Sequence, residues 1–374
     1  MPLADSMPWL PLPGTIERNH CITAMNKDIV SDLSRHDIHC YGSDELLKFE
    51  AKMTRYFERE YQRWRGNVNR PESYGISSFS GGLVDERSYN NSLDPYNKDL
   101  NIYRAFLDKE YMAYSMAYYF ADNEMPQSSQ KEITLEQAQT EKFRLIAQRA
   151  DIKDGHNILD LGCGFGGFVK YLQKNFSDIS VTGINPSTTQ SRYILNEAEI
   201  DHSHFRLIDR HLGNITNDAL ASNSFDRIIS IGVLEHFNNL DLLFQQLKSL
   251  LKPGGKTFHH FIVSRDTIPQ LLTAKNTLIN EYFPGGHIWP YAEAQRHDRH
   301  LELVNSWFVN GRNYWKTLDQ WHKRFWESID VLYPAYMSIE EVDRWNKYFG
   351  LSKAMFYPDE GNSYGNGHYL YQKL

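Results

Sequence analysis

The sequence predicts an α/β fold built on a mostly parallel, doubly wound sheet. Short apolar runs alternate with helical runs from about residue 134 to residue 263. A glycine-rich turn joins the first apolar run to the next helix, and Lys252-Pro253-Gly254-Gly255 stops a later helix just before another apolar run.

Residues 1–42 carry little periodicity and read as an extended or partly ordered arm. In Asp44–Arg65 the residues Leu46, Leu47, Phe49, Met53, Phe57, Tyr61 and Trp64 share one helical face, with Ser43 as N-cap. Residues 66–98 turn polar and rich in Gly, Asn and Ser, the composition of a long loop. Thr134 opens a helix to about Ala150, with Gln137 placed as its capping-box partner. Asn157–Gly162 reads as a buried strand and Gly167–Phe176 as a helix. Ile179–Asn185 is the second strand, followed by a helix from Thr188. His204–Asp209, Phe225–Val233 and Lys256–Val263 are further strands, and Leu240–Leu251 is a helix. Residues 264–340, aromatic and helical in pattern, read as a helical substrate cap, and His368–Leu374 returns to a strand. The domain division is therefore 1–104, an N-terminal arm and helical segment, and 105–374, the α/β domain.

With 41% hydrophobic and 23% charged residues over 374 positions, the chain can bury a sizeable core. A net charge of −7 argues against a nucleic-acid surface, which needs clustered cations. Three cysteines without a CxxC pair argue against a disulfide framework or a zinc site. The Pro-rich N-terminus lacks a signal-peptide pattern, and no run approaches the ~20 apolar residues of a spanning helix. A cytoplasmic enzyme with a small-molecule or lipid acceptor, no nucleic-acid partner and no stable membrane insertion is the expectation. Oligomeric state stays open, a homo-oligomer included.

The turn itself is Ile158-Leu159-Asp160-Leu161-Gly162-Cys163-Gly164-Phe165-Gly166-Gly167-Phe168. Glycines let the backbone bend tightly and let a ligand approach where a Cβ would intrude. A nicotinamide-binding turn is the rival reading. Three features favour S-adenosylmethionine (SAM): Asp160 inside the strand, the GxGxG spacing of Gly162, Gly164 and Gly166, and a second strand ending Gly183-Ile184-Asn185 without an acidic ribose ligand.

Further segments resemble the cyclopropane-fatty-acid synthases and their mycolic-acid-modifying and plant N-methylating relatives. They are Leu107-Asp108, Tyr114-Ser115-Met116-Ala117-Tyr118, Leu135–Lys142, Ser230–Phe237 and Tyr282-Phe283-Pro284-Gly285-Gly286, in family order. The resemblance implies a Rossmann-like SAM-dependent methyltransferase with a seven-stranded, mostly parallel sheet. It places SAM contacts on Tyr114, Ser115, Gly162, Gly164, Asn185 and Gln190. Gln190 also fits a capping box after Ser187, and its side chain cannot fully serve both.

Cyclopropane-forming members of the family hold a bicarbonate as general base. The resemblance carries its ligands onto Met116, Glu235, His260, Ile262 and Tyr314, with Met116 standing where Cys is common. The plainer alternatives are a strand-closing Glu235-His236, a satisfied core His260 and a packing Tyr314. Trp289, Trp307, Trp315 and Trp321 are candidates either to line a cation-stabilising pocket or to pack the cap. His259, His260, His297 and His300 lack the cysteines or convergent carboxylates of a metal site. An alkene carbon is the expected acceptor, because Gly232 stands where the N-methylating branch carries a Glu. An amine acceptor is the rival, and a SAM-binding regulatory subunit is the non-enzyme alternative.

Overall fold

The computed structural model describes residues 27–66, 81–84, 94–120, 133–215, 220–267, 269–271, 286–296 and 299–374. The 1–26 arm, most of the 66–98 loop, Tyr282–Gly285 and His297 lie outside the described residues.

The strands are β1 (His156–Leu161), β2 (Ile179–Asn185), β3 (Phe205–Asp209), β4 (Phe225–Ile231), β5 (Leu251–Ser264), β6 (Gln270–Leu271), β7 (His287–Pro290), β8 (Glu302–Asn310) and β9 (Tyr364–Gln372). Five of them, in the order β3-β2-β1-β4-β5, pair in parallel. β9 then lies antiparallel to β5, and β8 antiparallel to β9. These seven strands are the expected mostly parallel sheet. The short β7 pairs in parallel with the last residues of β5, and β6 with β7, which brings the sheet to nine strands.

The helices are α1 (Lys27–Arg35), α2 (Asp44–Trp64), α3 (Leu100–Phe106), α4 (Leu135–Arg149), α5 (Gly167–Asn175), α6 (Thr188–Asn196), α7 (Leu240–Leu250), α8 (Tyr291–Gln295), α9 (Arg312–Glu327), α10 (Ile329–Leu332) and α11 (Ile339–Met355). Their starts follow from local chemistry. Ser43 Oγ accepts from Leu46 N at 3.4 Å. Thr134 and Gln137 form the reciprocal capping box that satisfies two of the four orphan donors of α4. Among the described residues, no helix is long and apolar enough to cross a membrane.

Two expectations need correction. Within the arm read as extended or partly ordered, residues 27–35 form a short helix, an element the sequence reading did not place, because Leu33 is buried against the helical core. Nine residues are too few for periodicity to declare it. Residues 264–340 are not uniformly helical, since β7 and β8 lie within them. β8 is half-exposed along most of its length and owes its pairing to β9, more than fifty residues further on. A partner that distant leaves no local signature.

The cores divide accordingly. One fills the side of the sheet covered by α4, α5 and α6, and another the side covered by α7. A third joins α2, α3, α9 and α11 into a helical roof over the carboxyl ends of the central strands. In an open α/β sheet that is the edge at which ligands bind.

Candidate active site

The turn after β1 is shaped by three glycines at positive φ: Gly162 at 76°, Gly164 at 58° and Gly166 at 78°. A Cβ on Gly162 would lie 2.6 Å from Val233 Cγ2, and one on Gly166 would lie 2.6 Å from Ile200 Cδ1. Gly164 differs, for a Cβ there meets nothing within 4 Å. That open space belongs to a cleft of about 830 Å³, mouth included, lined by Tyr114, Ser115, Asp160, Gly162, Gly164, Asn185 and Gln190. Gly166 is not in the lining and serves the packing of α5.

Asn185 Nδ2 donates to Gly164 O at 3.2 Å and to Ser187 O at 3.5 Å, so its carboxamide nitrogen braces the turn. Its oxygen is the atom suited to accept from a ribose hydroxyl. Ser187 Oγ caps α6 by accepting from Gln190 N at 3.2 Å, while the Gln190 side chain lines the cleft. Asp160 is buried, and burial pushes its carboxyl up to about 7. Its Oδ2 has no hydrogen-bond partner among the described residues. The shape, the ribose acceptor and this unpartnered carboxylate fit a nucleoside cofactor such as SAM.

The far wall is the segment Tyr111–Ser115, held by buried polar groups. Asp108 accepts from Tyr111 N at 2.6 Å and Ala113 N at 2.8 Å. Gln139 Nε2, from α4, donates to Ala113 O at 3.3 Å and Ser115 O at 3.0 Å. One turn along, Lys142 Nζ donates to Ser115 Oγ at 2.8 Å. Burial pushes this amine down to about 7, with Asp108 opposing.

A second cavity of about 530 Å³, mouth included, lies under the helical roof, lined by Glu235, Ile262, His287, Tyr314, Tyr348, Met355 and Phe356 among others. Glu235 follows β4 in a short 3-10 turn, Leu234–His236. Its Oε1 accepts from Ile262 N at 2.7 Å, and its Oε2 has no hydrogen-bond partner among the described residues. Burial pushes this carboxyl up to about 7, the Ile262 amide opposing. Tyr314 stacks on Phe356 with centroids 4.5 Å apart. The Tyr114 and Tyr348 hydroxyls, 3.4 Å apart, stand where the two cavities adjoin.

Of the expected bicarbonate ligands, Glu235, Ile262 and Tyr314 meet in this cavity; His260 and Met116 line neither. Met116 is buried in the helical core. The His260 ring lies 2.7 Å, Nδ1 to Nε2, from His368, and its own Nε2 is 3.0 Å from the Asn366 carboxamide. Arg149 Nη1 lies 2.7 Å from His368 Nδ1 and can only donate. Neutral His368 therefore carries its proton on Nε2 and donates it to His260. His260 then carries its own proton on Nε2, which faces Asn366 Nδ2; turning that carboxamide over by 180° brings the otherwise unpartnered Asn366 Oδ1 to accept it. Both His260 nitrogens are thus used inside the protein, and burial holds the ring neutral. The set does not fit a bicarbonate, which would face the Glu235 carboxylate without an imidazole to hold it.

His259 is occupied likewise by Ser230 Oγ at 2.7 Å and Thr257 Oγ1 at 3.0 Å. Among the described residues no group of three or more His, Cys, Asp and Glu side chains is placed to hold a metal ion. The four tryptophans line neither cavity. Trp321 backs Tyr114 at 5.3 Å and Trp307 carries the Arg149 guanidinium at 4.6 Å. The aromatic lining of the second cavity comes instead from Tyr314, Tyr348 and Phe356.

Sequence reasoning missed Tyr348, Tyr96 and Lys142. Tyr348 lies on α11, mostly beyond the cap boundary placed at residue 340, and Tyr96 reaches the site from the polar loop to meet His236 Nε2 at 3.0 Å. Lys142 did carry a signal. It falls on the buried face of α4 with Leu135, Ala138, Gln139, Phe143 and Ile146, where a lysine needs a reason.

Comparisons with known proteins identify a family and a fold. The family profile described as mycolic acid cyclopropane synthetase matches residues 85–363. The cyclopropane-fatty-acyl-phospholipid synthase of Escherichia coli (strain K12) is 31% identical over 236 residues, 62% of this chain and 55% of that protein. The "Probable (S)-tetrahydroprotoberberine N-methyltransferase 2" of Papaver bracteatum is 29% identical over 211 residues, 53% of this chain and 56% of that protein. The matched region thus spans little more than half the length of either relative. Among solved structures, coclaurine N-methyltransferase bound to N-methylheliamine and SAH superposes with a TM-score of 0.78 at 18% identity, over 92% of this chain and 99% of that one. The cyclopropane synthase MmaA2 from Mycobacterium tuberculosis gives 0.64 at 22% identity, over 78% and 100%. Both share the fold.

Proposed function

The chain belongs to the mycolic acid cyclopropane synthetase family, and on that premise we propose that it is a SAM-dependent methyltransferase whose acceptor is the amine nitrogen of a small, largely apolar molecule. The observation that carries this reading is Glu235 Oε2: a buried carboxylate oxygen without a hydrogen-bond partner among the described residues, in a cavity lined mainly by aromatic and aliphatic side chains, with His287 and Ser352 as its other polar ones. An isolated buried carboxylate is costly unless a cation or a proton joins it. A protonated amine supplies both, and the faces of Tyr314, Tyr348 and Phe356 favour positive charge.

When bound, SAM supplies a methyl group already activated by its sulfonium. The chain's residues then have three tasks. Gly162, Gly164, Asn185 and Gln190 hold the nucleoside, and Tyr114 and Ser115 hold its other end. Tyr114, Tyr314 and Tyr348 keep water from the junction of the cavities and align the acceptor, which supplies most of what an activated methyl requires. Glu235 Oε2 takes the proton that the amine must lose, with the Ile262 amide fixing the other carboxylate oxygen.

Alkene carbon is the second reading. It is favoured by Glu235 being the only acidic residue lining this cavity among the described residues, with Gly232 offering no companion base. Glu235 would then remove the proton directly after carbon methylation. Methyl-labelled SAM, offered in parallel with secondary and tertiary aromatic amines and with unsaturated phospholipid vesicles, tests both. Label on nitrogen is the expected result. Label on a former alkene carbon moves the assignment to the second reading, and failure to bind SAM removes both.

A further inference from the structure

Ser115 stands at the cleft with its hydrogen bonds largely assigned by its neighbours. Its carbonyl is used by Gln139 Nε2, and its Oγ accepts from the Lys142 ammonium. In its ammonium form, which an anion in the cleft favours, Lys142 has donors only, so the Ser115 hydroxyl proton cannot return toward it and must be donated elsewhere. Lys142 is 1% exposed, and Ser115 lines the cleft beside Gly162 and Gly232.

The ends of a nucleoside cofactor are distinguishable here. Asn185 ends β2, the place where this class of sheet holds a ribose. Gly232 follows β4 on the opposite side of the turn, and a Cβ there would lie 3.7 Å from Ser115 Cβ. The portion near Ser115 is then the amino-acid end, whose carboxylate is the natural acceptor for a hydroxyl donor backed by a buried cation.

We propose that Lys142 is a positioning residue for the cofactor's amino-acid carboxylate: by donating to Ser115 Oγ it turns the Ser115 hydroxyl into the cleft and places a buried positive charge behind it. Asp108, which faces the same ammonium, keeps that charge affordable in the core and simultaneously fixes the Tyr111 and Ala113 amides. Three side chains from one buried cluster thereby set both the shape of the wall and its polarity. The inference rests on SAM occupying the cleft with Ser115 as a contact.

Two probes separate this role from a structural one. S-adenosylhomocysteine (SAH) carries the amino-acid carboxylate; 5′-methylthioadenosine has the same nucleoside and sulfur without it. Calorimetric titration of both into the wild type, K142M, K142R, S115A and the K142M/S115A double variant gives the test. K142M and S115A are each expected to weaken SAH about tenfold to a hundredfold, the range of a hydrogen bond to a charged group. The double variant should lose no more than the worse single variant, K142R should recover part of the loss, and methylthioadenosine should bind all variants alike. Should K142M fail to fold, K142Q, a neutral donor, carries the same comparison. Wild-type SAH affinity in folded K142M, or equal loss for both probes, overturns the assignment. Wild-type SAH affinity in S115A removes Ser115 from the cofactor site, and the absence of binding by either probe to the wild type defeats the SAM reading itself.

Discussion

Tyr114 and Tyr348 face each other hydroxyl to hydroxyl at 3.4 Å, one in the wall of the cofactor cleft and the other in the wall of the acceptor cavity. On the proposed assignment of the two cavities, methyl transfer passes beside this contact. Burial pushes both hydroxyls up; Tyr348 adds to the rise at Tyr114, whereas the Tyr114 hydrogen bond opposes it at Tyr348, which still reaches about 12, so both stay neutral throughout the working pH range. Tyr348→Phe keeps the ring and removes one partner. The expected outcome is unchanged SAM affinity with turnover reduced up to about tenfold, the scale of one neutral hydrogen bond. Calorimetry beside a methyl-transfer assay checks it; a loss of SAM affinity equal to the loss of turnover would show that Tyr348 supports the cleft rather than the junction.

Glu235 gives a pH prediction whose sign differs between activity and stability. Burial raises its carboxyl from 4.5 to about 7. Proton removal needs the anion, so kcat/KM should rise through about pH 7, and Glu235→Gln should keep SAM binding while cutting turnover by orders of magnitude. Stability runs the other way. The native state binds a proton between pH 4.5 and 7 that the unfolded chain has already released, so the neutral acid's contribution is complete below 4.5 and is lost as pH rises through 7. The wild type should therefore lose up to about 3 kcal/mol relative to E235Q between pH 4 and pH 8. Thermal melts of both proteins at the two pH values measure it, and parallel curves would place Glu235 in a wetter site.

Much of this was legible in the sequence, and the reasons are local. Asp160, Gly162, Gly164, Asn185 and Gln190 line one cleft because a buried strand, a bend and a helix start must follow one another within a few residues, and sequence records that order directly. Glu235, Ile262 and Tyr314 were identified through resemblance, and they do share a cavity. His260 shows the limit. Its alternation with Ile262 along β5 is real, yet its role is decided by His368 and Asn366 on β9, over a hundred residues away. Tyr348 was invisible for the same reason, since its importance arises from where α11 lands on the roof. Residues whose partners are near in the chain announce themselves; those whose partners arrive by tertiary packing do not.

Gly162 and Gly164 share positive φ but should fail differently. An alanine at either position adds strain of about 1 kcal/mol. At 162 the new methyl also meets Val233 at 2.6 Å, whereas at 164 it enters open space in the cleft. Gly164→Ala should therefore melt close to the wild type and lose SAM affinity by at least tenfold. Gly162→Ala should lower both. Thermal melts and SAM titration distinguish the two, and a G164A variant with full affinity would move the nucleoside away from the turn.

The roof over the acceptor cavity depends on one buried ammonium. Lys353 on α11 lies 2.7 Å from Glu50 Oε1 on α2 and 3.3 Å from Asp319 Oδ1 on α9, and Tyr41 donates to both oxygens of Asp319 at 3.0 and 3.1 Å. Burial opposes the charge, but Glu50 and Asp319 outweigh it and hold the amine above its ordinary value. Removing the cation leaves two carboxylates facing one another inside the protein, a loss of about 3–5 kcal/mol for a broken buried pair. Lys353→Met should show that loss at neutral pH and recover much of it as pH falls toward 4, where the stranded carboxylates take up protons. Adding Glu50→Gln should restore part of the stability at neutral pH for the same reason. Because α11 also carries Tyr348 and Met355 into the acceptor cavity, acceptor KM should rise more than the dissociation constant for SAM. Denaturant melts at pH 4 and 7, beside both binding measurements, decide it: a pH-independent loss would mean that packing rather than charge joins the three helices.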